Sequence, residues 1–161
     1  MITIRYRAAI PGDEQGIMDL IHELAAYERA PEQVVNSAAD LSVHLFEEKI
    51  CDALVALHEE EIVGFALYFT NYSTWKGKCL YLEDFYVKPE TRGLGVGSKL
   101  FDEVVEIAKA KKVKRMDWQV LDWNEPGLHF YRKFNATLDP EWINGKLLPA
   151  AIDKILKDES I

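Results

Sequence analysis

Tyr81-Leu82-Glu83-Asp84-Phe85-Tyr86-Val87, then Arg92-Gly93-Leu94-Gly95-Val96-Gly97, then a helix-like run over residues 98–110, is the stretch that decides the fold. An acidic, aromatic strand, a glycine turn and a helix follow one another. In that order, backbone N–H groups converge at a helix N-terminus, a place that holds phosphate or pyrophosphate. Gly95 and Gly97 let a ligand approach the main chain, and Arg92 adds a fixed positive charge that matches phosphate. Two nucleotide loops fail against the same residues. A Walker loop ends in Gly-Lys-Ser/Thr, whereas the order here is Gly97-Ser98-Lys99. The dinucleotide fingerprint needs G-x-G-x-x-G, and Gly93-Leu94-Gly95-Val96-Gly97 has the wrong spacing. A glycine turn with no ligand stays open on these residues alone.

Working outward, residues 3–8 alternate as an edge-like strand, and Pro11-Gly12-Asp13 reads as a turn with Asp13 as helix cap. Ile17, Leu20, Ile21, Leu24 and Ala25 have the spacing of an amphipathic helix. Residues 40–46 predict a second, short helix. Strands are expected over 53–57 and 62–69, with Glu59-Glu60-Glu61 at the hairpin tip, followed by a polar loop over 71–78 that carries Trp75 and by a strand over 80–87. The helix after the glycine turn should bury Leu100, Phe101, Val104, Val105 and Ala108. A strand over 115–121 precedes a helix that Asn124 caps, with Pro126 in its first turn. Residues 136–138 and 146–151 read as short strands, with Pro149 at an edge or bulge, and 152–157 as a last helical turn. No repeat or linker interrupts the chain, so one mixed α+β domain over residues 1–161 is expected.

Composition narrows the partners. The chain is 48% apolar and 29% charged, ordinary for a folded domain of 161 residues. Its net charge of -8 argues against nucleic acid and favours cationic substrates. The basic run over residues 109–115 reads as a solvated helix end. Cys51 and Cys79 read as small buried hydrophobes, His22, His44 and His58 as structural or surface groups, and His129, two residues before Tyr131, as pointing elsewhere on its helix. No His, Cys, Asp or Glu cluster has metal-ligand spacing, so no metal is expected. With no signal-like segment and no long apolar run, a cytoplasmic protein away from membranes is expected.

Several separate segments then carry a resemblance: Glu23-Leu24-Ala25-Ala26-Tyr27-Glu28, Trp75-Lys76-Gly77-Lys78, the strand and glycine turn quoted above through Ser98, Trp123-Asn124-Glu125-Pro126, and Phe130-Tyr131. Together they resemble the GNAT superfamily of acetyl-CoA-dependent N-acetyltransferases, whose Gln/Arg-x-x-Gly-x-Gly/Ala signature is met by Arg92, Gly95 and Gly97. Within it, the chain is most similar to the diamine (spermidine/spermine) and thialysine acetyltransferase branch. The match fades after Ala136. The resemblance implies a central twisted, mixed, mostly antiparallel sheet of six to seven strands, flanked by about four helices, with strands four and five splayed apart.

It also implies chemistry. Acetyl-CoA would be the co-substrate, and the acceptor a primary amine of a small cationic molecule: a diamine, a polyamine or a lysine-like amino acid. An amine with a pKa of roughly 10 must lose a proton before it attacks. Glu83 is the expected base, directly or through water, and Tyr131 the expected acid for the leaving thiolate. The resemblance assigns main-chain bonds to the pantetheine arm to Phe85 and Val87, a hydrogen bond to it to Asn124, and the pyrophosphate to Arg92, Gly93, Leu94, Gly95, Val96, Gly97 and Ser98. Glu28, Trp75, Glu83 and Asp84 are the expected amine contacts. On a regular strand Glu83 and Asp84 point to opposite faces, so only one enters a given cleft unless a bulge intervenes. A homodimer is implied as well. Another amine acceptor (an aminoglycoside, a peptide, a protein N-terminus or lysine) and a non-catalytic acyl-CoA sensor remain alternatives, although a sensor has no need of both Glu83 and Tyr131.

Overall fold

Two long apolar runs make the centre of the sheet. β2 (Asp52–His58) and β3 (Glu61–Ser73) are buried on both faces over most of their length, so they read as continuous apolar stretches rather than alternating ones. In the computed structural model, which describes residues 3–157, they sit between β1 (Ile4–Ala8) and β4 (Gly77–Val87), with β5 (Met116–Trp118) on the far edge. Residues 1–2 and 158–161, the ends of the expected domain, lie outside the described residues. β1 to β4 pair antiparallel and β5 joins β4 parallel. The sheet is therefore mixed and has five strands among the described residues, not six to seven.

The chain groups into two compact units, Met1–Gln119 and Val120–Ile161. The first holds the whole sheet with α1 (Glu14–Tyr27), α2 (Ala38–Ser42) and α3 (Val96–Ala110). One face of the sheet, through Val55, Leu57, Phe65 and Leu67, packs with Ile17 and Leu20 of α1 in a single apolar cluster. On the other face Phe85 meets Phe101 of α3 edge-on at 5.9 Å, and Phe101 meets Trp118 of β5 at the same distance. α2 is capped by the Ser37 hydroxyl, which accepts from the Asp40 N–H, and continues into a π-helical turn over Val43–Glu47. The second unit holds α4 (Glu125–Arg132) and α5 (Pro149–Lys157). None of the described helices is long and apolar enough to cross a membrane.

Several expectations are corrected. The polar loop over 71–78 is instead a tight hairpin: β3 runs to Ser73, β4 starts at Gly77, and the Ser73 hydroxyl accepts from the N–H groups of Trp75 and Lys76. Polar side chains there do not prevent pairing, because the partner strand satisfies the backbone. α3 begins at Val96 rather than at 98, so Val96 is buried while Val105 is 38% exposed. The strand over 115–121 shrinks to Met116–Trp118. Its next rung would fall on Glu83, where β4 bulges and the ladder is lost. Among the described residues, no strand forms over 136–148. Pro149 instead opens α5, a position where a missing N–H costs nothing.

Asp13 also acts differently from a helix cap. Its side chain makes no bond to the first turn of α1. It accepts from Arg7 Nη1 at 2.5 Å and Nη2 at 3.0 Å, and from the Ile10 N–H at 2.8 Å. Burial pushes its carboxyl up, but Arg7 and the Ile10 N–H outweigh this and hold it below the usual range. Arg7→Ala leaves an 8% exposed Asp13 without its counter-ion and should cost about 1–3 kcal/mol at neutral pH. A group with a depressed folded pKa stabilises above its unfolded pKa, and that contribution is lost as pH falls. The difference between wild type and variant should therefore stay level down to about pH 5 and shrink as pH falls through about 4 and below in urea unfolding.

Candidate active site

One backbone irregularity organises the acidic residues. Leu82 stands opposite Tyr68, and Asp84 opposite Leu67, so Glu83 is an extra residue on β4. That β-bulge breaks the alternation which would have sent Glu83 and Asp84 to opposite faces. Asp84 takes the face of Leu67, toward α1, and Tyr81 shares it opposite Phe69, its ring 5.3 Å away. Glu28, at the C-cap of α1, belongs to the same electrostatic group. The Asp84 carboxyl is pushed up to about 6, first by burial, then by the charges of Glu83 and Glu28. Burial raises Glu28 as well, and burial together with the Glu83 and Asp117 charges raises Tyr81. Three carboxylates thus converge, and one is tuned toward neutrality.

β4 carries the second feature beyond the bulge. Its pairing with β5 covers only Leu80 to Leu82 against Met116 to Trp118. The ladder between the two strands ends there, so residues 83–87, Phe85 and Val87 among them, have no β5 residue paired to them. A single 3₁₀ turn, Pro89–Thr91, then leads into the glycine turn. Gly93 and Gly95 have φ of 77° and 80°, and a Cβ on either would meet nothing within 4 Å. The glycines are required by the left-handed backbone, not by packing, and they leave the main chain open. α3 then starts with Gly95 as N-cap, no side-chain cap and no acidic residue in its first turn. Leu94 and Ser98 are exposed, Gly97 partly so. An anion such as a pyrophosphate fits this terminus without competition from a carboxylate.

Arg92 is exposed at the start of the turn, with its Nε donating to the Val87 carbonyl at 3.0 Å. Its guanidinium lies beside the rings of Tyr27 and Tyr86. Neither tyrosine was expected from sequence. Tyr27 adjoins Glu28 in a segment already singled out, but nothing in residue spacing reveals a cation near rings from both α1 and β4.

The hairpin does not carry Trp75 to these carboxylates. Trp75 is 81% exposed at the tip. From Gly77 to Asp84 the strand advances about 20 Å at ~3.3 Å per residue. In the second unit, Asn124 caps α4 as expected, its Oδ1 accepting from the Gly127 N–H at 3.2 Å. Gly127 has no room for a side chain, since a Cβ would lie 2.6 Å from Asn124 Nδ2. Tyr131 is 7% exposed, with Phe130 edge-on at 5.3 Å.

Comparison with known proteins bears on the family and the fold. Residues 17–136 match the Acetyltransferase (GNAT) family. A thialysine N-epsilon-acetyltransferase of Bos taurus is 40% identical over 145 residues, which cover 84% of this chain and 85% of that one. Spermidine/spermine N(1)-acetyltransferase-like protein 1 of Homo sapiens is 35% identical over 144 residues, 84% of this chain and 21% of that longer protein. In structure the chain is similar to an integron cassette protein from the mobile metagenome of V. cholerae, with a TM-score of 0.78 at 21% identity over 98% of this chain and 100% of that one. That last likeness speaks to the fold alone.

The raised Asp84 carboxyl has a thermodynamic consequence. Its folded pKa, about 6, lies above the ordinary 3.8, so the folded state takes up the proton first and the ionised form is destabilising near neutrality. Asp84→Asn should stabilise the protein at about pH 7, by at most about 3 kcal/mol, and the gain should vanish near pH 4. Thermal melts across that range check both the sign and the window.

Proposed function

This chain belongs to the acetyltransferase (GNAT) family, and from that premise we propose that it acetylates a primary amine of a small cationic substrate, a lysine-like amino acid, a diamine or a polyamine, by direct attack. The observation that carries the reading is the convergence of Glu28, Glu83 and Asp84 at the bulge of β4. A cluster of that sign attracts an ammonium group, and a carboxyl near pH 6 is matched to accept a proton at working pH. The family likeness to thialysine and polyamine-like acetyltransferases points the same way.

Acetyl-CoA, the family's co-substrate, supplies the acyl group when bound. We assign its pyrophosphate to the open N-terminus of α3, with Arg92, Gly93, Leu94, Gly95, Val96, Gly97 and Ser98. Main-chain groups of Phe85 and Val87 hold the pantetheine arm, and Asn124 orients it while capping α4. Glu83 and Asp84 act as one coupled pair. Asp84, pushed up to about 6, takes the proton of the attacking amine, the exposed Glu83 passes it to water, and Glu28 anchors the substrate's second ammonium. Tyr131 protonates the departing thiolate. The expected homodimer and the Trp75 contact to the amine belong to the same proposal.

Free-thiol release from acetyl-CoA tests the acceptor, using thialysine, lysine, putrescine, spermidine, an aminoglycoside and a peptide. Turnover should be fastest with a small amine carrying a second charge. Turnover with the peptide alone would exclude the small-amine reading. No turnover with any amine despite CoA binding would make the protein a sensor. Separately, Tyr131→Phe should lower kcat by about 10²-fold or more while CoA affinity stays within about twofold. Equal losses in both would mean that the tyrosine packs or binds rather than donates.

A further inference from the structure

Arg92 is restrained within the first unit by three contacts. The Val87 carbonyl takes its Nε–H at 3.0 Å. Its guanidinium carbon lies 5.8 Å from the ring centre of Tyr27 and 5.5 Å from that of Tyr86. Tyr86 is itself fixed: it is 6% exposed, and its hydroxyl donates to Glu23 Oε2 at 3.2 Å. Glu23 and Tyr27 sit on the last turns of α1, while Tyr86 and Val87 end β4.

An arginine used only for its charge needs none of this. A planar guanidinium held near two aromatic rings within cation–π range, with Nε already bonded, has fewer orientations in which its terminal nitrogens can meet an oxyanion. A free arginine on an exposed turn would lose that freedom on binding, whereas a held one has already lost it. We propose that Tyr27 and Tyr86 are positioning residues for the donor: they fix Arg92 so that it meets the pyrophosphate as a preorganised planar group. The assignment rests on the acetyl-CoA reading above. It also explains why Tyr27 directly precedes Glu28: one end of α1 supports the donor handle and contributes to the acceptor cluster.

Two measurements test this, calorimetric Kd for CoA and kcat/KM with S-acetylpantetheine, a donor that lacks the pyrophosphate. Tyr27 is half-buried, so Tyr27→Leu is the variant of choice and Tyr27→Phe its control. Tyr27→Leu and Arg92→Lys should each weaken CoA binding by about fivefold, within the range expected for one mobilised side chain. For Tyr27→Leu, kcat/KM with S-acetylpantetheine should fall by less than CoA affinity does, and Tyr27→Phe, which keeps the ring, should lose less CoA affinity than Tyr27→Leu. In an Arg92→Lys background, Tyr27→Leu should add nothing. The assignment is overturned if Tyr27→Leu leaves CoA affinity unchanged, weakens both donors equally, or costs as much in the Arg92→Lys background as in the wild type. Failure of the wild-type protein to bind CoA at all would instead overturn the donor reading itself.

Discussion

β4 has to pair with β3 along its whole length and with β5 along only part of it, and the β-bulge at Glu83 is where both demands meet. Up to Leu82 the strand is an ordinary member of a mixed sheet, with β5 beside it. One residue later the ladder to β5 stops, while the ladder to β3 resumes with Asp84 opposite Leu67. The extra residue does two things at once. It ends the β5 ladder ahead of residues 83–87, and it turns Asp84 toward the C-terminal end of α1, where Glu28 lies. Without it, Asp84 would point toward α3, into an aromatic layer made by Phe85, Phe101 and Trp118.

Setting the partly buried Asp84 beside the charges of Glu83 and Glu28 is unfavourable, and it pushes the Asp84 carboxyl up. The long antiparallel pairing of β3 with β4 and the apolar cluster between α1 and the sheet hold the strained arrangement in place. Stability and chemistry therefore oppose each other here, as they do where a site is tuned for proton transfer. On the donor side the devices are simpler. Two glycines at positive φ shape the turn, and the helix terminus has neither a side-chain cap nor an acidic residue in its first turn.

Much of this was legible in the sequence, and the failures have physical causes. β2 and β3 were visible as continuous apolar runs on either side of Glu59-Glu60-Glu61, and α1 and α3 because their apolar residues recur at the helix period. Asn124 was visible because Asn before Glu-Pro-Gly is a strong cap signal. The first turn of α3 was not, since Val96 and Gly97 read as loop when glycines surround them. The bulge left no mark: Glu83 has neither glycine nor proline beside it, and only the register against Tyr68 and Leu67 reveals it. The Arg92 cradle joins residues far apart in the chain, which no local pattern encodes. Pro149 misled because proline at a strand edge and proline at a helix start look alike without the backbone.

The central claim is that the backbone between the end of β4 and the first turn of α3 holds the donor. Amide hydrogen exchange, followed with and without saturating CoA, addresses it directly. The account predicts that amides of residues 93–98 become at least about tenfold more protected when CoA binds, because N–H groups open to solvent acquire phosphate acceptors. CoA binding with unchanged exchange across those residues would contradict it.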